Sequence, residues 1–438
     1  MDAYEILKSK GISIGDKIRV NSIEGILMPR TEFVESDVIV IKMSNGYNIG
    51  IKLKEETEVK LIEKKEGLVL EKPKTKRFDS NKPTVSILAC GGTIASRVEY
   101  KTGAVFPSFS PEELIEAFPE IGEIANIKAR KLFDLFSEDM QPEHWKIIAQ
   151  EVAKEIESGV DGIVLMHGTD TMHYTSAALG FMLQDLPIPV ILVGAQRSSD
   201  RGSSDNRINL VSAVLFAAMG EIAEVVVCMH ESSNDDYCAI HRGTKVRKMH
   251  ASRRDAFKSI NISPLARVNY FERRIEYLTT NFKKRDKSRK LKLDTNINPN
   301  VGIFYFHPGA KPEFLREMGK FYEGIVIAAT GLGHVGVNSG NDKLAKSFLP
   351  VIKELIEKGI PIVFAPQTIY GRLNMNVYST GRILEKAGVI GNLCDWTIET
   401  ALVKLMFVLG HTKDMNEIKK MMLTNIVGEI SERSEHEL

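Results

Sequence analysis

The chain lacks a dominant charge. Its 438 residues carry 58 basic and 57 acidic side chains, a formal net charge of +1. A chain so balanced is a poor non-specific ligand for nucleic acid or an acidic membrane, although a local basic patch is not excluded. It also lacks any apolar run near the roughly 18 residues that a membrane span needs, so a soluble chain without membrane contact is expected. Its first residues, Met1-Asp2-Ala3-Tyr4-Glu5, contain acids and no apolar core, so no signal peptide is expected. Cysteine is scarce: Cys90, Cys228, Cys238 and Cys394 form neither a CxxC motif nor a disulfide scaffold, which points to a reducing cytoplasm. Glutamine occurs only five times in a Lys/Glu-rich chain, a composition that hints at a thermophilic source. What is present is ordinary: 43% hydrophobic and 26% charged residues allow real cores, and the length predicts two or three modules.

The first 65 residues read as short strands. Asp37–Met43 and Tyr47–Leu53 flank Asn45-Gly46, a strong hairpin signal, and Lys17–Val20, Glu24–Met28 and Val59–Ile62 add three more. Five short strands predict a small all-β barrel of SH3 or Sm type over 1–65. Residues 66–83 are charged, contain Pro73 and Pro83, and read as a linker.

From Thr84 the pattern changes to strand, loop, helix. Val85–Ala89, Ile127–Phe133, Gly162–Met166, Ile188–Val193 and Val225–Cys228 are expected strands, and Pro142–Ser158 is an amphipathic helix. Ser110-Pro111-Glu112-Glu113 signals a helix start. Such alternation predicts an α/β fold with a doubly wound parallel sheet and helices on both faces, spanning 84–282. A basic stretch, 283–292, opens an interdomain linker over 283–299 that is expected to be solvated. Alternation then resumes at Val301–Phe306, Gly324–Ala329 and Pro361–Ala365, giving a smaller α/β domain over 300–438.

In an open parallel sheet, ligands bind beyond the carboxyl ends of the strands. Three polar loops fall there: Gly91-Gly92-Thr93, Ser137-Glu138-Asp139 and Gly168-Thr169-Asp170. Small residues let the backbone approach a substrate and offer N–H groups to an oxyanion. A threonine hydroxyl is a weak nucleophile that needs a base or cation beside it, and an aspartate–lysine pair can serve. Taken singly, each loop is explained as a helix cap; three in one half-sheet strain that explanation.

Ala89-Cys90-Gly91-Gly92-Thr93-Ile94-Ala95-Ser96 and His167-Gly168-Thr169-Asp170-Thr171-Met172 resemble the two signature loops of the bacterial-type L-asparaginase/glutaminase family. Arg242–Ser252 is similar to its third block, and Asp395–Met406 to its last helix, so the resemblance covers roughly 84–425. It implies that Thr93 is the nucleophile, that Thr169, Asp170 and Lys248 form a supporting triad, and that Ser137 and Glu138 grip the substrate's α-carboxylate and α-amine, with Gly92 lending backbone. Lys248 rather than Lys245 fits the family spacing to His250 and Asp255. Tyr100 falls on the segment that the resemblance makes a lid. An active site built at the interface of a homodimer is implied too.

Two residues depart from the pattern: Cys90 stands where threonine is usual, and Glu138 where glutamine is common. The larger departure is the N-terminal barrel with its linker. That architecture resembles the GatD components of archaeal glutamyl-tRNA(Gln) amidotransferases. The resemblance implies a glutaminase with no cofactor in this chain, passing ammonia from glutamine to a GatE-like partner. That partner would use ATP and Mg to amidate Glu-tRNA(Gln) and would hold most of the tRNA, in a heterotetramer. A free-standing cytoplasmic L-asparaginase with an added barrel, or a catalytically dead scaffold, are the rival readings.

Two further signals carry less. Gly331-Leu332-Gly333-His334-Val335-Gly336 fits GxGxxG, but no acidic residue ends the next strand, so a nicotinamide site is not expected. Cys228, His230, Cys238 and His241 have no common zinc spacing, and no metal is expected.

Overall fold

The computed structural model describes residues 2–28, 35–45, 47–54, 56–64, 79–91, 96–98, 105–107, 111–197, 202–338, 340 and 342–433, with backbone alone at 96–98, 105–107 and 111. Gly46, Ser110, most of the 66–83 linker, and Gly92, Thr93 and Tyr100 lie outside the described residues.

The N-terminal module opens with a helix that strand-seeking patterns do not register, α1 (Ala3–Ser9). The Asp2 carboxylate caps it by accepting from the Tyr4 and Glu5 backbone N–H groups. Strands β1 (Lys17–Val20), β2 (Ile23–Met28), β3 (Val38–Lys42), β4 (Asn48–Lys52) and β5 (Val59–Glu63) form one antiparallel sheet in the order β4-β3-β2-β1-β5. Alternate residues Ile18, Val20, Ile39 and Ile41 bury against Ala3 and Leu7, so the helix closes this small core. The β3–β4 turn brings Tyr47 Oη within 3.4 Å of Ser203 Oγ on the next module.

The larger module begins with β6 (Thr84–Ala89), a hairpin of β7 (Ser96–Val98) and β8 (Val105–Pro107), helices α2 (Pro111–Ala117) and α3 (Pro119–Ile124), then β9 (Asn126–Lys131). Next come α4 (Pro142–Glu157), β10 (Gly162–Met166), α5 (Met172–Met182), β11 (Leu183–Gln184), β12 (Val190–Val193), α6 (Asn206–Met219) and β13 (Val225–His230). Its remaining strands are β14 (Tyr237–Arg242), β15 (Val246–Lys248), β16 (Phe257–Ser259), β17 (Ala266–Asn269) and β18 (Arg274–Tyr277).

The main sheet runs β18-β17-β14-β13-β12-β10-β6-β9. Its β9-to-β13 half is parallel, as the alternation predicts, but β14, β17 and β18 are antiparallel, so the sheet is mixed rather than purely parallel. The physical reason is connection length: the short turn between β13 and β14 contains no crossover helix, and only an antiparallel partner can be reached that way. Side-chain alternation divides the sheet cleanly. Ile163 and Leu165 of β10 pack with α4 and α5, whereas Val164 and Met166 pack with α3 and α6.

After β19 (Lys292–Leu293) come β20 (Val301–Tyr305), α7 (Pro312–Met318), β21 (Gly324–Ala329), α8 (Leu349–Glu357), β22 (Ile362–Pro366), α9 (Ser379–Lys386), α10 (Ile398–Leu409) and α11 (Met415–Leu423). Strands β20-β21-β22 form a parallel sheet with α7 and α8 on one side and α10 on the other. The glycine-rich turn at 331–336 follows β21 and closes on itself through Thr330 and His334, and among the described residues the next helix begins at Leu349.

Most residues of the basic segment 283–293 are exposed, but several are tied to the larger module. Lys283 pairs with Asp185 at 2.9 Å, Lys287 with Asp161, and β19 pairs with β11. The Arg285 guanidinium donates to the carbonyls of Ala217 and Ala218 at 2.7 and 3.1 Å, in the last turn of α6, where unsatisfied carbonyls favour a cation. The four cysteines and histidines weighed for zinc are likewise spoken for. Cys238 and His241 are three apart on β14 and so face opposite sides, and His241 Nδ1 lies 2.8 Å from Ser259 Oγ. Among the described residues no cluster of three His, Cys, Asp or Glu side chains is arranged to hold a metal.

Helix α10 lies between the two sheets, and all of its residues are buried, including Glu399 and Lys404. Lys404 Nζ meets the fully buried Glu429 carboxylate at 2.6 Å and the carbonyls of Met422 and Thr424. Removing one member strands the other charge, so Lys404→Met should cost about 3–5 kcal/mol. The check is the denaturant midpoint of the full chain, which should fall clearly below that of the parent.

Candidate active site

The site lies at the carboxyl ends of β6 and β10, adjacent strands paired from Val85↔Gly162 to Ala89↔Met166. Each strand ends in a glycine turn. Gly91 has φ +101°, and a Cβ there would overlap the backbone of Leu135. Only glycine relieves both constraints, so the chain can cross directly over the 132–137 loop.

The second turn is locked to the third. A Cβ on Gly168 would stand 2.7 Å from Ser137 Cβ, closer than side chains approach. That closeness lets the Asp170 N–H donate to Ser137 Oγ at 3.1 Å and the Thr171 hydroxyl donate to the Ser137 carbonyl at 2.5 Å. Ser137 is buried at the start of a short 3-10 turn, Ser137–Asp139, which leaves Glu138 exposed beside it.

Lys248 joins these loops from β15. Its Nζ donates to Thr169 Oγ1 at 2.9 Å and to Asp170 Oδ1 at 2.7 Å. The lysine side chain is 10% exposed and the aspartate 64%, so the pair is sheltered on the lysine side and open on the other. Lys245, the other lysine of the block, is fully buried and bound to Asp395 Oδ1 at 2.8 Å. Burial pushes its pKa down, while Asp395 opposes the shift. His250 Nδ1 accepts from the N–H groups of Ser252 and Arg253, and Arg253 holds the Asp255 carboxyl well below the usual range. Neither reaches the Thr169–Lys248 group through the bonds they make.

Behind the site runs a chain that motif reading leaves without a role. Trp145 Nε1 donates to Thr175 Oγ1 at 3.0 Å, Thr175 Oγ1 lies 3.0 Å from His167 Nε2, and His167 Nδ1 lies 2.6 Å from the Gly168 carbonyl. A carbonyl only accepts, so Nδ1 carries the proton, Nε2 accepts from Thr175, and the ring is neutral. Burial pushes the His167 pKa down to about 4, which agrees with that assignment. The chain fixes the peptide that precedes Thr169. Sequence alone marks His167 only as a motif member; its place at the end of a buried strand is the signal that it packs inward.

A shallow cavity of about 390 Å³ adjoins Lys248, lined by Asp170, His173, Tyr174, Arg247 and Glu399 among others. His173 is buried with its pKa pushed down to about 4, chiefly by desolvation.

The similarity of the chain to known proteins follows this geometry. Residues 84–282 match the family described as "Asparaginase, N-terminal", and 300–422 match "Glutaminase/Asparaginase C-terminal domain". Residues 12–62 match "GatD N-terminal domain". The chain is 49% identical to the GatD component of the glutamyl-tRNA(Gln) amidotransferase of Pyrococcus furiosus, over 98% of each chain. It is 47% identical to the corresponding component from Thermococcus kodakarensis, over 98% of this chain and 96% of that one. The chain belongs to the GatD family.

Among solved structures, the thermostable L-asparaginase from Thermococcus kodakarensis superposes with a TM-score of 0.71 at 33% identity, covering 80% of this chain and all of that one. L-asparaginase I from Vibrio cholerae gives 0.68 at 30%, covering 80% and 99%. A GatD-family chain is thus an asparaginase-like α/β enzyme with an extra N-terminal module, and as one component of an amidotransferase it works within a complex. Among the described residues no helix is long and apolar enough to cross a membrane.

The close contact of Gly168 with Ser137 is open to test. Gly168→Ala should push Ser137 aside and lower kcat/KM for glutamine by on the order of 100-fold, since small misplacements at a reacting centre are costly; steady-state kinetics check it. The buried histidines give a pH signature. His167, His173 and His241, with pKa values near 4, 4 and 3, bind protons in the unfolded chain before the folded one. Their contribution to stability is complete above about pH 6.5 and is lost as pH falls toward 4. The thermal midpoint should therefore hold between pH 8 and 7 and drop between roughly 6.5 and 4.

Proposed function

We propose that this chain is the glutaminase component of a glutamyl-tRNA(Gln) amidotransferase, hydrolysing glutamine through a threonine nucleophile. It supplies ammonia to a GatE-like partner, which uses ATP and Mg to convert Glu-tRNA(Gln) to Gln-tRNA(Gln). The observation that carries the reading is Lys248 Nζ bridging Thr169 Oγ1 and Asp170 Oδ1, in a chain that aligns with GatD proteins over 98% of its length.

In this mechanism glutamine lies with its α-carboxylate and α-amine at Ser137 and Glu138. The Thr93 oxygen attacks the side-chain amide carbon, and backbone N–H groups near Gly92 and Thr169 hold the oxyanion. The amide nitrogen takes a proton and leaves as ammonia. Water then attacks the acyl-enzyme. In acylation the Thr93 proton passes through the Thr169 hydroxyl to Lys248 in its amine form, oriented by Asp170, and from there to the departing amide nitrogen; in deacylation a proton from water takes the same route and returns to the Thr93 oxygen as glutamate departs. Asp170 is thus an orienting carboxylate rather than the base.

The tRNA is held mainly by the partner, and the chain acts as a homodimer within a heterotetramer in the cytoplasm. Balanced charge supports this division, and so does the pairing of the basic segment 283–293 within the chain. Neither a free-standing asparaginase nor an inert scaffold is favoured, because the N-terminal match and the full-length alignment both fall on GatD proteins.

The test is glutamine hydrolysis by the full chain with its co-purifying partner. Lys248→Ala and Thr169→Ala should each lower kcat by at least about 1,000-fold, the scale on which members of a catalytic unit fail together. Wild-type rates in either variant contradict the proposed roles.

A further inference from the structure

Strand β15 is gripped on one side and presented on the other. Successive residues of a strand point to opposite faces, so when Arg247 points toward α10, Lys248 must point away from it, toward Thr169 and Asp170. The grip on the first face comes from one turn of the smaller domain. Thr400 Oγ1 donates to the Thr244 carbonyl at 2.9 Å, and the Lys245 ammonium meets Asp395 Oδ1 at 2.8 Å. Arg247 Nε donates to Glu399 Oε1 at 2.8 Å. Asn261, beyond β16, adds a bond to the Asp395 carbonyl at 2.8 Å. Contacts at 244, 245 and 247 thus straddle the strand immediately before Lys248.

Glu399 is the costly member. It sits in the first turn of α10, 4% exposed, and its Oε2 has no hydrogen-bond partner among the described residues. His173 Nε2 is 3.9 Å from Oε1, beyond hydrogen-bond reach. A buried carboxylate with one oxygen unbonded destabilises a fold, and a neutral residue of similar size would pack there more cheaply. Its one strong bond is to the neighbour of Lys248.

We propose that Glu399, acting through Arg247, is a positioning residue for Lys248: the ion pair fixes the register and rotation of β15 so that Lys248 Nζ reaches Thr169 and Asp170 together. The role rests on the glutaminase reading of the site. It assigns the smaller domain a part in catalysis, because that domain's helix sets the geometry of a side chain it never touches.

The experiment is a double-mutant cycle on glutamine hydrolysis by the full chain with its co-purifying partner. Glu399→Gln and Arg247→Met should each lower kcat by about 10- to 100-fold, the cost of misplacing a reacting group by about 1 Å, with KM for glutamine within twofold. The double variant should be no slower than the slower single one, since both break the same link. Arg247→Lys should recover most of the loss. Additive losses, a change confined to KM, or wild-type kcat in Glu399→Gln each overturn the proposal. Thermal midpoints accompany every variant. If Glu399→Gln does not fold, the comparison of Arg247→Met with Arg247→Lys decides, and equal kcat values for the two overturn it. Lys248→Ala separates the two levels. If it retains activity, the reading of the site fails; if it is inactive while Glu399→Gln is normal, only the positioning role fails.

Discussion

Helix α10 is buried along its whole length between two sheets, and it carries two charges that must therefore be neutralised inside the protein. One is answered by Glu429 and by two carbonyls, Met422 in the last turn of α11 and Thr424 just after it. The other is answered by Arg247, one residue from Lys248. An apolar helix of this kind is expected wherever a segment is enclosed on every side. Its two charged exceptions are where enclosure has been turned to use, one tying down the C-terminal segment and the other reaching the site. Because the same helix packs against α5 and against β20–β22, the two α/β modules share one continuous core rather than meeting at a wet seam.

The site itself depends on close backbone approach more than on any single side chain. Gly91 crosses the 132–137 loop where no Cβ fits, and Gly168 lies against Ser137 where none fits either. Those two absences of a side chain bring three loops into one volume. Hydrogen bonds then remove the remaining freedom: Ser137 takes the Asp170 N–H and the Thr171 hydroxyl, while His167 holds the Gly168 carbonyl from behind. Polar groups buried this deeply cost stability unless each is satisfied. The Trp145–Thr175–His167–Gly168 series satisfies every member in one consistent direction of donation. The result is a stiff platform from which Asp170 and Glu138 project into the open.

Much of this was legible in the sequence because it rests on local rules. Strand runs such as Gly162–Met166 and Gly324–Ala329 are continuous and β-rich, and the strands occupy those residues. Asn45 marks the β3–β4 turn for the same local reason, Met43 N–H bonding the Tyr47 carbonyl at 2.9 Å. What escaped is set by distance along the chain. The antiparallel pairing of β14 follows from its short connection to β13, but without a recognised strand pattern over Tyr237–Arg242 the sequence did not show that the connection ends in another strand. Nothing local places Glu399 beside Arg247, 152 residues earlier. Helix α1 escaped for the opposite reason: seven residues hold too little periodicity to register, although Asp2 is an ordinary cap. Lys248 and Lys245 show the limit most plainly, since three residues in a twisting segment separate a side chain at the threonine from one sealed against Asp395.

The near-zero net charge is the last feature whose meaning depends on the fold. A sum of +1 can describe a chain with a basic face and an acidic face, or one in which charges are matched locally. The densest basic run, 283–292, decides between them. Lys283, Lys287, Arg285 and Arg289 reach Asp185, Asp161, the last carbonyls of α6 and the Leu186 carbonyl, so these four residues act as a strap that draws the interdomain segment onto the larger module. Cations already paired with carboxylates neutralise fewer phosphates, and guanidinium groups committed to backbone carbonyls have fewer N–H groups free, so both contribute less to holding a polyanion. A strap of this kind stabilises the enzyme at the expense of a nucleic-acid track, which is why the proposed division of labour leaves the tRNA to the partner and ammonia to this chain.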